Sequence, residues 1–156
     1  MKKLILGCVL SVFASVQVAS AIDIGAFGSY WDHKDGDAVW GGGVLLLVES
    51  LPIEVRATYY ESVTGANIEA HPIDVGLAFG LTRMDSVAIT AIGGGSYYFV
   101  DADNASPDNE FGWYIGARLE LTAPSNYKVF GEVMYRGADL DVADFSGATV
   151  NIGLLF

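Results

Sequence analysis

The residues best placed to do chemistry are carboxylates interleaved with cations. Asp23, Glu49, Glu54, Asp74, Glu120 and Glu132 fall in alternating stretches that also carry Arg56, Arg118, Lys128 and Arg136. Two residues is the repeat of a strand, so Glu54 with Arg56, and Arg118 with Glu120, would share one face. Carboxylates on one surface can serve as general acid and base. With this many cations beside them, mutual neutralisation is the expected outcome, because charges taken out of water persist only when paired. The expectation is an ion-pair network of Asp23, Glu54, Arg56, Asp74, Arg118, Glu120, Lys128, Glu132 and Arg136, with no catalytic residue among them.

Other candidate sites fail on spacing. Asp101 and Asp103 begin like a calcium loop, but Ala105 and Ser106 stand where an acidic or amide ligand and the glycine belong. Gly41-Gly42-Gly43 and Gly93-Gly94-Gly95 have no helix after them to cradle a phosphate. Cys8 is the single cysteine and lies in the leader, which excludes disulfides and cysteine-ligated metals from the rest. No cofactor or metal is expected.

The elements that must position these residues are strands. Stretches with one apolar face recur at 22–31, 39–49, 53–61, 71–82, 87–99, 111–122, 128–136 and 146–156. In the third, Ile53, Val55, Ala57 and Tyr59 oppose Glu54, Arg56, Thr58 and Tyr60; in the last, Val150, Ile152, Leu154 and Phe156 share a face. All four prolines fall in turns, loops or at a strand start. Residues 1–21 have a basic start, an apolar middle and a closing Ala19-Ser20-Ala21, the pattern of a cleavable export signal. A lipoprotein acceptor at Cys8 would leave only Leu4 to Gly7 as its apolar region. The division expected is a signal peptide over 1–21 and one β-domain over 22–156.

Hydrophobic residues make up 52% of the chain, with 19 glycines and a formal net charge of −11. That acidity argues against a nucleic-acid partner. After the leader no apolar run is long enough for a membrane helix, so a closed barrel is the remaining way for so apolar an exported chain to meet lipid. A soluble lipocalin-like barrel would show the same periodicity with its apolar faces turned inward.

Three features favour apolar faces outward. Connections after the first, third, fifth and seventh strands are long and polar, and those between are short, which places all long loops at one end. Tyr30, Trp40, Tyr59, Tyr97, Phe99, Phe111, Trp113 and Tyr135 all fall at the long-loop end of their apolar faces, as in an interfacial aromatic girdle. The opposite faces are crowded with small residues, including Gly76, Gly94, Gly116 and Gly153, as the narrow interior of eight strands requires. The fold expected is all-β: an eight-stranded antiparallel up-and-down transmembrane β-barrel.

The closing strand, through Asn151, Gly153, Leu154 and Phe156, resembles the final strand of small outer-membrane barrels. With eight strands and alternating loop lengths, residues 22–156 resemble the OmpA/OmpX-type family, without the periplasmic cell-wall-binding domain of full-length OmpA. The resemblance implies an integral protein of a Gram-negative-type outer membrane, with both termini periplasmic and a structural or surface-interaction role. It also implies contact with outer-membrane lipid, and recognition of Gly153, Leu154 and Phe156 by the barrel-assembly machinery. Most of the 19 acidic residues fall in the long loops or at their edges, among them Asp32, Asp37, Glu69, Asp103, Asp108 and Asp144. They solvate that rim and offer oxygen ligands to bridging divalent cations.

Two other readings stand beside this one. An OmpW-like conduit for small apolar molecules would need an apolar lumen, toward which Phe27, Leu45, Leu47, Phe130 and Met134 contribute only a little. A barrel enzyme acting on lipid would need His33 or His71 beside a nucleophile. In the lipid A deacylase family a serine follows the histidine by two residues; here Asp35 and Ile73 stand at those places.

Overall fold

Strict alternation decides the architecture. In β1 (Ile22–His33) the side chains of Gly25, Phe27, Ser29, Trp31 and His33 are buried, while Ile24, Ala26, Gly28, Tyr30 and Asp32 are exposed. The same period runs through β7 (Lys128–Gly137) and the closing strand β10 (Gly147–Leu155). A period of two with one side buried is what a pleated strand in a closed sheet produces. The computed structural model describes residues 22–34, 37–48, 51–64, 68–102, 110–123, 127–140 and 143–156. The leader and the loop residues between these segments, Asp35, Glu49, Asp103, Asp108 and Asp141 among them, lie outside that description.

β2 (Val39–Val48), β3 (Ile53–Thr64), β4 (Ile68–Met84), β5 (Val87–Ala102) and β6 (Glu110–Thr122) complete the wall. Each strand pairs antiparallel with its sequence neighbour, and β1 pairs with β10 to close an eight-stranded barrel. At the closure Ile24 N donates to Phe156 O at 3.2 Å and Phe156 N donates to Ile24 O at 2.9 Å. Both ends of the barrel segment therefore lie with the short turns. Two strands run far past the expected length of about ten residues: β4 has 17 and β5 has 16. Much of the stretch read as a loop at 62–70 continues β3 and β4, and the last long connection folds a small hairpin, β8 (Asp139–Leu140) with β9 (Ala143–Asp144). Polar residues at the strand tips had hidden these extensions, because cross-strand hydrogen bonds do not require apolar side chains.

The core is the lumen, and it is stacked. Nearest the short turns sit Phe27, Leu45, Phe130 and Leu155. Ile92, Tyr114 and Met134 fill a middle level, and Trp31, Val39, Tyr60, Tyr98, Val100 and Phe145 pack at the long-loop end. Small residues make room for these rings. A Cβ on Gly76 would strike the Tyr114 hydroxyl, and one on Gly153 would come within 2.7 Å of the Phe130 ring.

Candidate functional site

Register brings the charged residues together. Arg56 of β3 lies opposite Asp74 of β4, and Arg118 of β6 lies opposite Glu132 of β7. On the next strand pair Glu132 faces Asn151. Each pairing sets complementary groups side by side on the inner face, within reach of the far wall.

Two guanidiniums and two carboxylates form the centre. Arg56 donates to Glu132 Oε2 and to Glu54 Oε1, both at 2.8 Å. Arg118 donates through Nε to Glu132 Oε1 at 2.6 Å and through Nη2 to Glu54 Oε2 at 2.5 Å. Tyr114 donates to Glu54 at 2.9 Å, and Asn151 to Glu132 at 2.8 Å. A second knot lies toward the long loops, where Arg136 holds both oxygens of Asp74 at 2.9 and 2.7 Å and Ser96 adds a bond at 2.7 Å. Arg56 Nε stands 3.6 Å from Asp74 and links the two. The side chains of Glu54, Arg56, Asp74, Glu132 and Arg136 are 0% exposed and that of Arg118 1%. Three guanidiniums thus balance three carboxylates in a space closed to water.

Glu120 sits at the edge of this group, 3.8 Å from Arg118. Asp23 and Lys128 form a separate pair at 2.5 Å at the short-turn mouth. Rings cover the guanidinium faces: Arg56 lies 5.3 Å from the Tyr114 centroid, Arg136 5.8 Å from the same ring, and Arg118 5.8 Å from Phe130. Every central carboxylate accepts charge-assisted bonds from fixed cations. Chemically, the arrangement locks the barrel interior.

Alternation places Tyr60 on the inner face, but Trp31 and Tyr98 escaped the sequence reading. The signal is a set of doublets: Tyr30-Trp31, Tyr59-Tyr60, Tyr97-Tyr98 and Trp113-Tyr114. In each, the first ring lies on the outer wall and the second is buried in the lumen. Trp31 packs 4.9 Å from Tyr60, 6.2 Å from Tyr98 and 5.8 Å from Phe145, centroid to centroid. The Ser29 and Tyr60 hydroxyls bond at 2.6 Å. The interior is more aromatic than expected, yet it is filled.

The outer wall carries the eight aromatics singled out above. Tyr30 meets Trp40 at 4.9 Å, Tyr97 meets Phe99 at 4.8 Å and Phe111 at 4.9 Å, and Trp113 meets Tyr135 at 5.9 Å. Tyr59 stacks on His71 at 4.7 Å, and Glu69 stands 3.6 Å from that imidazole. His33 lies on the inner side between Trp31 and Phe145, at 5.3 and 5.5 Å. The two histidines are therefore on opposite faces of the wall. Gly153 underlies Phe130 in the lumen, while Leu154 and Phe156 are exposed on the outer face.

Among the loop carboxylates, Asp32 and Asp37 are exposed. Asp144 accepts from Lys34 Nζ at 2.6 Å and from Ser146 N at 2.9 Å. The Lys34 bond, then those from Ser146, hold its carboxyl down to about 2. A depressed carboxylate contributes stability that is complete above its ordinary value of 3.8 and disappears as pH falls through about 2. Lys34→Ala should move the Asp144 midpoint part-way back toward 3.8 in an NMR titration of the folded barrel, with Ser146 accounting for the remainder. An unmoved midpoint would mean that Lys34 is solvated and plays no part.

No protein-family model and no curated protein sequence matches the chain. Solved structures do. Neisserial surface protein A superimposes with a TM-score of 0.73 at 10% identity, covering 86% of this chain and 95% of that one. The fold is that of the small outer-membrane barrels. The N-terminal β-barrel domain of Pseudomonas aeruginosa OprF matches with a TM-score of 0.57 at 16% identity, over 86% of this chain and 95% of that one. Ail, the attachment invasion locus protein of Yersinia pestis, matches at 0.53 and 14% identity, over 86% and 94%. At such identities the likeness is one of architecture: eight antiparallel strands closed on themselves, as the register here requires.

Proposed function

We propose that this protein is an integral outer-membrane barrel with a structural and surface-interaction role, its lumen locked by ion pairs and its acidic loops turned outward. The observation that carries this reading is the facing of β6: Trp113 is 51% exposed while Arg118 is 1% exposed. A soluble barrel would bury the tryptophan and hydrate the arginine. Lipid inverts that preference, since the hydrocarbon takes the apolar faces and closure satisfies every backbone group along the wall. The ring pairs Tyr30–Trp40 and Trp113–Tyr135 suit the level where acyl chains meet head groups.

On this reading the short turns and both ends of the barrel segment are periplasmic, and Gly153, Leu154 and Phe156 present the closing strand to the assembly machinery. The long-loop end, with Asp32 and Asp37 exposed, faces out and offers carboxylates to divalent cations and cationic partners. Ail is an attachment invasion locus protein, which supports an adhesive role for a surface built on the same frame. The filled lumen opposes a conduit. The short-turn mouth is open, and among the residues lining it Leu47 packs on the Phe27, Leu45, Phe130 and Leu155 cluster.

The test is expression of the full chain with its leader, followed by carbonate extraction of the membranes and electrophoresis with and without boiling. A carbonate-resistant band that shifts on boiling is the expected result. A soluble periplasmic protein with no shift would reject the assignment.

A further inference from the structure

The short-turn mouth holds an open cavity of about 520 Å³. Its floor includes Leu47, which packs on the Phe27, Leu45, Phe130 and Leu155 cluster, and its rim includes Leu51 and Pro52 of the β2–β3 turn. Among the described residues five charged ones line it: Asp23, Arg83, Arg118, Glu120 and Lys128. Four are already committed, Lys128 to Asp23 at 2.5 Å and Arg118 to Glu120 at 3.8 Å as well as to the central carboxylates. Arg83 makes no ion pair or hydrogen bond among the described residues. Arg83 is exposed at the mouth of the cavity, its guanidinium open to solvent.

A bulge puts it there. Gly80 pairs with Thr90, but the next pair is Thr82 with Ile89, so Leu81 is extra. Without that insertion, alternation from Asp74, Gly76 and Ala78 would aim Arg83 at the outer wall. With it, Arg83 lies opposite Ala88, whose other neighbour is Glu120 on the inner face. Bulges re-aim side chains in this way, and they do so often at barrel rims.

We propose that this vestibule binds a single-chain amphiphile with an anionic head, its head on Arg83 and its chain along Leu47, Leu51, Pro52 and Ala78. The inference goes beyond the role proposed above. A cavity of about 520 Å³ lies within the range that holds small ligands. Arginine supplies a planar fork suited equally to carboxylate and phosphate. A fatty acid or a lysolipid phosphate would therefore be held by the same chemistry.

The test is calorimetric titration of the full chain, folded in phosphatidylcholine nanodiscs, with empty-disc heats subtracted. The probes are decanoate, decyl phosphate, decanol and inorganic phosphate. Saturable binding of decanoate or decyl phosphate is expected, the tighter of the two naming the source of the head group. Binding should weaken at least tenfold for decanol and in Arg83→Ala, recover partly in Arg83→Lys, and weaken in Leu51→Asp. The boiling shift of each variant shows that the barrel is folded, so loss of binding is separable from failure of the membrane assignment. Equal affinity in Arg83→Ala, no saturable binding to the parent chain, or inorganic phosphate binding as tightly as decanoate would each overturn the proposal.

Discussion

Glu132→Gln is expected to destabilise the barrel by about 3–5 kcal/mol, the cost of removing one partner from a buried ion pair. Glu132 accepts from Arg56, Arg118 and Asn151, and all four side chains are enclosed. The neutral amide has nearly the same shape, so packing is preserved, but the charge and one acceptor oxygen are lost and an NH2 donor is set against the donors of Arg56, Arg118 or Asn151. Two guanidiniums would then share Glu54 as their nearest counter-charge. Adding Arg118→Met to Glu132→Gln should recover most of the loss, because Arg56 and Glu54 remain as a balanced pair at 2.8 Å. Urea midpoints of the refolded barrel, with slopes checked for equality, report both changes. A single-variant loss below about 0.5 kcal/mol, the scale of ordinary surface changes, would mean that water already solvates the lumen.

Ile152→Arg addresses the outer face. Ile152 is 67% exposed, and it pairs with Gly28 near the middle of β1. At the midplane of a bilayer an arginine on a barrel wall costs about 2–4 kcal/mol, falling to about 0–1 kcal/mol near the interfaces. Tyr127→Arg, at the β6–β7 turn, should therefore be nearly silent when both variants are unfolded by urea from phosphatidylcholine vesicles. In water an exposed isoleucine tolerates arginine within about 0.5 kcal/mol. Equal and small effects at both positions would show that the wall does not meet hydrocarbon.

Alternation made the barrel legible. Once Ile53, Val55 and Ala57 are set against Glu54, Arg56 and Thr58, the facing of every other residue in that strand follows, and register then follows from short turns. The charged site was legible for the same reason, since a charge two residues from its opposite shares its face. What remained hidden depends on geometry between strands. That Arg136 reaches across to Asp74, or that Tyr114 fits over Gly76, depends on strand tilt and stagger, which a period of two does not encode. The Leu81 bulge leaves no mark in composition, so the facing of Arg83 needed the register. Trp31 and Tyr98 were obscured by the outward rings beside them, because an aromatic on a polar face reads as an exception until its partners are seen.

The closure between β1 and β10 bears on how this chain comes to be folded at all. Every other pairing in the wall joins strands adjacent in sequence and needs only a local loop to be closed. The last one brings Ile24 to Phe156 across nearly the whole barrel segment. Its entropic cost grows only logarithmically with the length spanned, but such distant contacts are slow to be found. Until they are, the sheet is a curved strip with two unpaired edges, β1 and β10, each a template for another strand. The hazardous interval in this protein's life is thus the one before the seam closes, and a helper protein that occupied the β10 edge would shield it from other strands until β1 took its place.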